Sequence, residues 1–202
     1  MKTLDPEALS GRECYQLLTS LVVPRPIGWI STWSGEGVAN LAPFSYFAAL
    51  SASPMLVGVS VGRRAQGPKD TLVNLRARGA FCVNVVSVAL LEAMNATSAE
   101  LPHGVDEFEV AGLERAVSPV VDAPYVASAP AVLECEVTQE VELHGASNTL
   151  VVGAVVGIRL ADDLAMVEGT SFVDPHALLP VGRLWGAAYA IPGEVRLIPR
   201  PR

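Results

Sequence analysis

The stretch Pro24–Phe47, PRPIGWISTWSGEGVANLAPFSYF, decides how the rest of the chain is read. From Pro26 its pattern has a period of two. Ile27, Trp29 and Ser31 alternate with Gly28, Ile30 and Thr32, as in a strand whose side chains leave on opposite faces. Ser34–Gly37 (SGEG) is a turn signal and Val38–Leu41 is extended again, so the segment reads as a β-hairpin. It is too polar and glycine-rich for plain core, yet too apolar for a surface loop. Trp29, Ser31, Thr32, Asn40, Pro43 and Ser45 crowd into it, and that mixture needs a reason.

Upstream, Ser10 and Glu13 match a capping box, and Cys14, Leu17, Leu18 and Leu21 follow at helical spacing, so a short amphipathic helix precedes Val22. Downstream, Met55–Val61 (MLVGVSV) is a strand with Met55, Val57, Val59 and Val61 on one face and Leu56, Gly58 and Ser60 on a smaller one. Pro68 takes a first helical position, with Lys69, Asp70 and Thr71 in the first turn and Leu72 and Leu75 facing the core. Phe81–Val86 is a strand, and Ser87 caps a helix that uses Leu90, Leu91 and Met94. Asn95–Glu114 reads as one long irregular loop, a length that usually carries function. In Val132–Leu143, Leu133, Cys135, Val137, Val141 and Leu143 face in, while Glu134, Glu136, Thr138, Glu140 and Glu142 face out. Thr149–Leu160 is apolar on both faces, as for a central strand covered on each side. Many strands with few, short helices predict a mainly β chain, a barrel with short helical insertions, forming one domain over residues 1–202.

The 202 residues are half hydrophobic and 17% charged, enough to bury a sizeable core. Net charge is −7 and the 14 basic residues are scattered, which argues against a nucleic-acid surface. No apolar run reaches the roughly 18 residues of a membrane helix, and the N-terminus lacks a signal-peptide core. Cys14, Cys82 and Cys135 are odd in number and sit in apolar patterns, so they read as buried thiols of a cytoplasmic protein.

Two motifs fail on context. Gly58–Gly62 (GVSVG) fits G-x-S-x-G, but its serine lies inside a strand and no helix follows. His103, His144 and His176 show no metal-ligand spacing. Neither a Rossmann nor a P-loop glycine pattern occurs, so a nucleotide-like ligand would need another holder. Gly67–Thr71 (GPKDT) offers one. A helix start presents free N–H groups and a positive dipole end, Lys69 adds a charge, and Arg63 and Arg64 lie just upstream. The same residues equally describe an ordinary helix start. Likewise, main-chain amides at Ser31–Thr32 and Asn40–Ser45 suit the edge of a flat heteroaromatic ring, or merely a solvent-facing strand pair.

Taken in order, RPIGWIST, NLAPFSYF, KDTLVNLRARGAFCVNVVS and MNATSAELPHGVDEFEVAGL resemble the flavin reductase-like, FMN-binding split-barrel family, closest to its flavoredoxin-type members. The resemblance runs from about Tyr15 through the C-terminal PVGRLWGAAYA. It implies a six-stranded Greek-key split β-barrel with helical additions, assembled as a homodimer, with non-covalent FMN near the subunit interface. By that resemblance Ser31 and Thr32 contact flavin, and Asn40, Ala42, Pro43, Phe44 and Ser45 line the isoalloxazine. Ser60, Arg63, Lys69, Asp70 and Thr71 surround the ribityl chain and phosphate. Asn95, His103 and Trp185 fall on the substrate side, and Trp185 stands where relatives usually have glycine. The implied activity is an NAD(P)H:flavin oxidoreductase, with electrons passing to free flavin, a partner protein or a small acceptor. An FMN-binding electron carrier without nicotinamide activity is the alternative, and a barrel that has lost FMN is a third.

Overall fold

The computed structural model describes residues 1–65 and 67–201. Seven antiparallel strands make the main sheet: β1 (Gly28–Trp33), β2 (Ala39–Phe44), β3 (Phe47–Ala52), β4 (Met55–Val61), β5 (Ala80–Asn84), β6 (Ala131–Glu142) and β7 (Thr149–Leu160). Their spatial order is β2-β1-β5-β6-β7-β4-β3. The two edge strands, β2 and β3, are consecutive in sequence and joined only by Ser45 and Tyr46. So short a link forces the edges together, and the β3–β4 pairing runs back into it, the Ser60 N–H donating to the Tyr46 carbonyl at 2.8 Å. The sheet therefore curls into a barrel.

Its interior is one apolar cluster fed by every strand: Ile30, Phe44, Val57, Val59, Val61, Phe81, Val83, Cys135 and Val151, with Phe47 packed against them. Leu72 and Leu75 of helix α2 (Asp70–Arg78) plug this core. A second cluster, with Ile27, Trp29, Leu41, Leu90, Met94, Phe108 and Val126, lies outside the β1–β2 hairpin. Here α3 (Leu91–Ala96) and α4 (Glu107–Val110) cover the sheet. The hairpin is thus buried on both faces, one against the barrel core and one against the helices. That is why β1 reads as both polar and apolar: Ser31 and Thr32 are fully buried and must find partners inside the protein.

Several expectations change, beginning with the strand count, since the main sheet has seven strands where the family resemblance implied six. Helix α1 (Gly11–Leu21) has its Ser10–Glu13 capping box, but only Thr19 is buried and Leu18 and Leu21 are exposed. α2 begins at Asp70, not Pro68, because Gly67–Pro68 pairs as a short strand with Arg63–Arg64. Ser87 precedes a 3₁₀ turn and makes no side-chain cap. The β6–β7 register shifts twice, at Val156 of β7 and at Thr138 of β6. Glu134 leaves on the face opposite Leu133, Cys135 and Val137, as the alternation has it, yet is buried there, receiving the Ser118 hydroxyl at 2.7 Å with Arg159 at 3.6 Å, and Leu143 is exposed. β7 is not covered throughout, since Val156, Ile158 and Leu160 are exposed. The presumed loop 95–114 contains the end of α3 and the whole of α4. No helix among the described residues is long and apolar enough to cross a membrane.

Candidate functional site

Where the barrel edge meets the start of α2, a cleft of about 120 Å³ is walled by Asn40, Ala42 and Pro43 of β2. Lys69, Asp70 and Thr71 form its floor, and Thr97–Glu100 and Glu107 close the far side. A neighbouring cleft of about 540 Å³, reaching Pro102 and His103, shares Arg64, Asp70 and Glu100 with it. The hairpin supplies the wall because β2 is an edge strand. The α2 N-terminus reaches it because Leu72 and Leu75 anchor the helix in the barrel.

Lys69 occupies the N-cap position of α2 in extended conformation, and no side chain caps the helix. Its first N–H groups are left for a ligand or water. The Lys69 Nζ stands 5.4 Å from the centre of the Phe44 ring. Burial pushes the ammonium below its ordinary pKa, Arg64 adds like-charge repulsion and Glu100 opposes both. A half-buried cation of this kind gains from an incoming anion.

The cleft also holds carboxylates, most of them already engaged. Asp70 accepts from Arg64 at 3.5 Å and lies 2.7 Å from His103 Nδ1. Glu107 accepts from Asn40 Nδ2 and from the Leu41 N–H, all at 2.9 Å. Burial pushes the Glu107 carboxyl up, and Asp70 adds to the rise against the hydrogen bonds it accepts. Asn40 Oδ1 in turn accepts from the Thr71 hydroxyl at 2.8 Å, and Asn74 Nδ2 donates to Thr32 Oγ1 at 3.0 Å.

The expected site residues therefore separate. Asn40, Ala42, Pro43, Lys69, Asp70 and Thr71 come together at one cleft, with Phe44 beneath Lys69 and His103 in the adjoining one. Ser45 is half-buried in the link between the barrel edges. Thr32 sits behind Asn40, while Ser31 is turned away, donating to the Pro124 carbonyl at 2.6 Å and accepting from Asn84 at 2.9 Å. Ser60 accepts from Asn148 at 3.1 Å, and Arg63 lines a different cleft with His144 and Asn148. Asn95 accepts from the Tyr189 hydroxyl at 2.8 Å outside the cleft. Trp185 stands beside α1, with Tyr15 and Gln16.

Glu100 and Glu107 join the cleft without having been singled out, and Arg64, expected with Arg63 beside the anion, lines it where Arg63 does not. Arg64 was distinguishable from Arg63 only through the tight Arg63–Pro68 hairpin, which sends neighbouring side chains to opposite sides. Glu107 gave no signal, because an acidic stretch reads as solvated surface.

A barrel of this order with an anion-ready helix start at its edge is the architecture of a flavin-handling split barrel. Residues 20–171 match the flavin reductase-like domain model, and the chain belongs to that family. Its chemistry is accordingly flavin-related redox chemistry. An uncharacterized protein of Halalkalibacterium halodurans is 41% identical over 98% of this chain and 96% of its own. The solved nitrilotriacetate monooxygenase component B from Bacillus cereus is 34% identical, with a TM-score of 0.93 over 98% of each chain. The flavoredoxin of Desulfovibrio vulgaris (Miyazaki F) shares the fold, at 20% identity and TM-score 0.78 over 98% of this chain and 96% of its own.

Proposed function

We propose that this protein is a single-domain, cytoplasmic FMN-dependent oxidoreductase that takes its electrons from NAD(P)H. The observation that carries the reading is the pairing, in one cleft, of the uncapped α2 N-terminus and the partly desolvated Lys69 with the β2 wall of Asn40, Ala42 and Pro43. The residues fit FMN: the helix N–H groups and Lys69 suit its phosphate, and the flat wall of Asn40, Ala42 and Pro43 suits a ring. When bound, FMN supplies the redox chemistry, accepting hydride from a nicotinamide and passing electrons to free flavin, a protein or a small acceptor. The chain's own task is to bind, orient and shield. Lys69 and the helix dipole neutralise phosphate charge, and Phe44 backs Lys69 on the barrel side. His103 and Asp70, together with Arg64, fix the segment that borders the donor side. No acid or base is required of the protein for hydride transfer.

The protein is also proposed to act as a homodimer. Exposed apolar side chains on α1 (Leu18, Leu21) and on β7 (Val156, Ile158, Leu160) favour a second copy as their cover.

Mixing FMN-loaded protein anaerobically with NADH and, separately, NADPH tests the activity. Prompt bleaching of the flavin absorbance is expected with at least one donor. Bound flavin that neither donor bleaches assigns the protein as an electron carrier, and failure to take up FMN removes both readings.

A further inference from the structure

Glu107 is a carboxylate that the proposed chemistry does not use, yet it is 4% exposed and lies on the wall of the cleft. Its position is fixed from behind. Asp106 caps α4 by accepting the Phe108 N–H at 2.9 Å and pairs with Arg115, and Phe108 is sunk in the outer core. Facing it are Asn40 and Leu41 of β2, while Lys69, Asp70, Arg64 and Glu100 share its cleft.

The hydrogen bonds have a direction that follows from donor and acceptor types. An ionised carboxylate only accepts. Asn40 must therefore turn its NH₂ to Glu107, which leaves its carbonyl oxygen facing Thr71. That oxygen also only accepts, so the Thr71 hydroxyl proton is committed to it, 2.8 Å away. Thr71 is 1% exposed and has a single hydroxyl proton to give. An unprotonated phosphate has nothing to donate and gains nothing from the remaining lone pairs.

We propose that Glu107 is a positioning residue of the flavin site. It sets the direction of the Glu107–Asn40–Thr71 chain, so that the Thr71 hydroxyl is withheld from the flavin phosphate and the phosphate is held by Lys69 and the main-chain N–H groups of α2. This rests on the flavin reading above. The arrangement makes a residue that looks like a phosphate donor into a neutral wall. It also places a carboxylate where it weakens selection for the phosphorylated flavin.

Removing the charge reverses the chain. In Glu107→Gln the side-chain carbonyl accepts from Leu41 and its NH₂ donates to a flipped Asn40. Asn40 then donates to Thr71, whose proton is released to the phosphate. The lost charge acts in the same direction, and Thr71→Val separates the two effects, because only the hydroxyl contribution needs Thr71.

The test is the ratio of FMN to riboflavin affinity at about pH 8, above the phosphate's second pKa of about 6. It is measured for wild type, Thr71→Val, Glu107→Gln and the double variant. Thr71→Val alone is expected to leave the ratio within about twofold. Glu107→Gln should raise it about tenfold, the scale of one hydrogen bond to a charged group, and the double variant should lose much of that gain. A Thr71→Val ratio lowered tenfold overturns the proposal, and so does a Glu107→Gln variant that weakens both flavins equally. Should Glu107→Gln not fold, the Thr71→Val arm decides alone. Wild-type protein that binds neither flavin overturns the flavin reading itself, whereas binding with an unresponsive ratio overturns only this inference.

Discussion

Lys69 illustrates how one side chain can be prepared for a ligand by its surroundings. It is half-buried over Phe44, next to Arg64, at a helix start that no side chain caps. A charge-assisted hydrogen bond of this kind is worth about 1.5–3 kcal/mol. Lys69→Ala should therefore weaken FMN binding by about 10- to 100-fold while changing riboflavin binding far less, as read by flavin fluorescence titration. Glu107 makes a second prediction at this scale. Its folded-state pKa lies above the ordinary carboxyl value, mainly through burial. Between the unfolded and the raised folded pKa the native state binds more protons, so stability declines as pH rises through that window. Comparing urea denaturation of wild type and Glu107→Gln from about pH 4.5 to 8 should show wild type losing ground to the variant as pH rises. Curves that stay parallel would remove Glu107 as a titrating group.

Among the elements, the β1–β2 hairpin carries most of the architecture. Gly28 makes room for the ring of Phe47: a Cβ at Gly28 would stand 2.6 Å from the Phe47 ring. Phe47 opens β3, so this contact joins the first strand to the far edge of the sheet. Gly28→Ala should cost about 1–3 kcal/mol by overpacking, seen as a lowered urea midpoint with an unchanged slope. Helix α1 is attached differently. The buried Arg25 guanidinium donates to the carbonyls of Thr19 at 2.6 Å and Val22 at 3.1 Å, and to that of Leu184 at 2.6 Å. The C-terminal end of α1 is thereby tied to the segment in which Gly182–Arg183 pairs with Tyr189–Ala190, while Leu18 and Leu21 remain outward.

For the whole molecule, the closure of the barrel by Ser45 and Tyr46 places the edge of β2 next to the α2 start and so creates the cleft. The apolar surface left on α1 and β7 is the basis of the proposed dimer, with Leu21 77% and Ile158 50% exposed. Ile158→Glu should shift the protein from dimer to monomer in sedimentation or gel filtration while keeping its β-sheet circular dichroism. A wild-type protein that is monomeric at micromolar concentration would remove the dimer.

The hairpin, the Ser10 capping box, the strands at Met55–Val61 and Phe81, and the barrel class were legible in the residues, because each depends on local periodicity and on turn or capping chemistry. Lys69, Asp70 and Thr71 were legible as an anion-ready helix start for the same reason, although pairing of Gly67–Pro68 with Arg63–Arg64 moved the start by two residues. What the tertiary structure alone decided concerns partners distant in the chain. Glu107 is buried because a short helix turns it toward Asn40, and Glu134 because Ser118 folds over it, donors that no local pattern announces. Ser31 and Arg63 face away from the cleft because neighbouring strands and a tight hairpin fix their side. Periodicity along the chain determines which residues share a face, and only the folding of the sheet upon itself determines what that face meets.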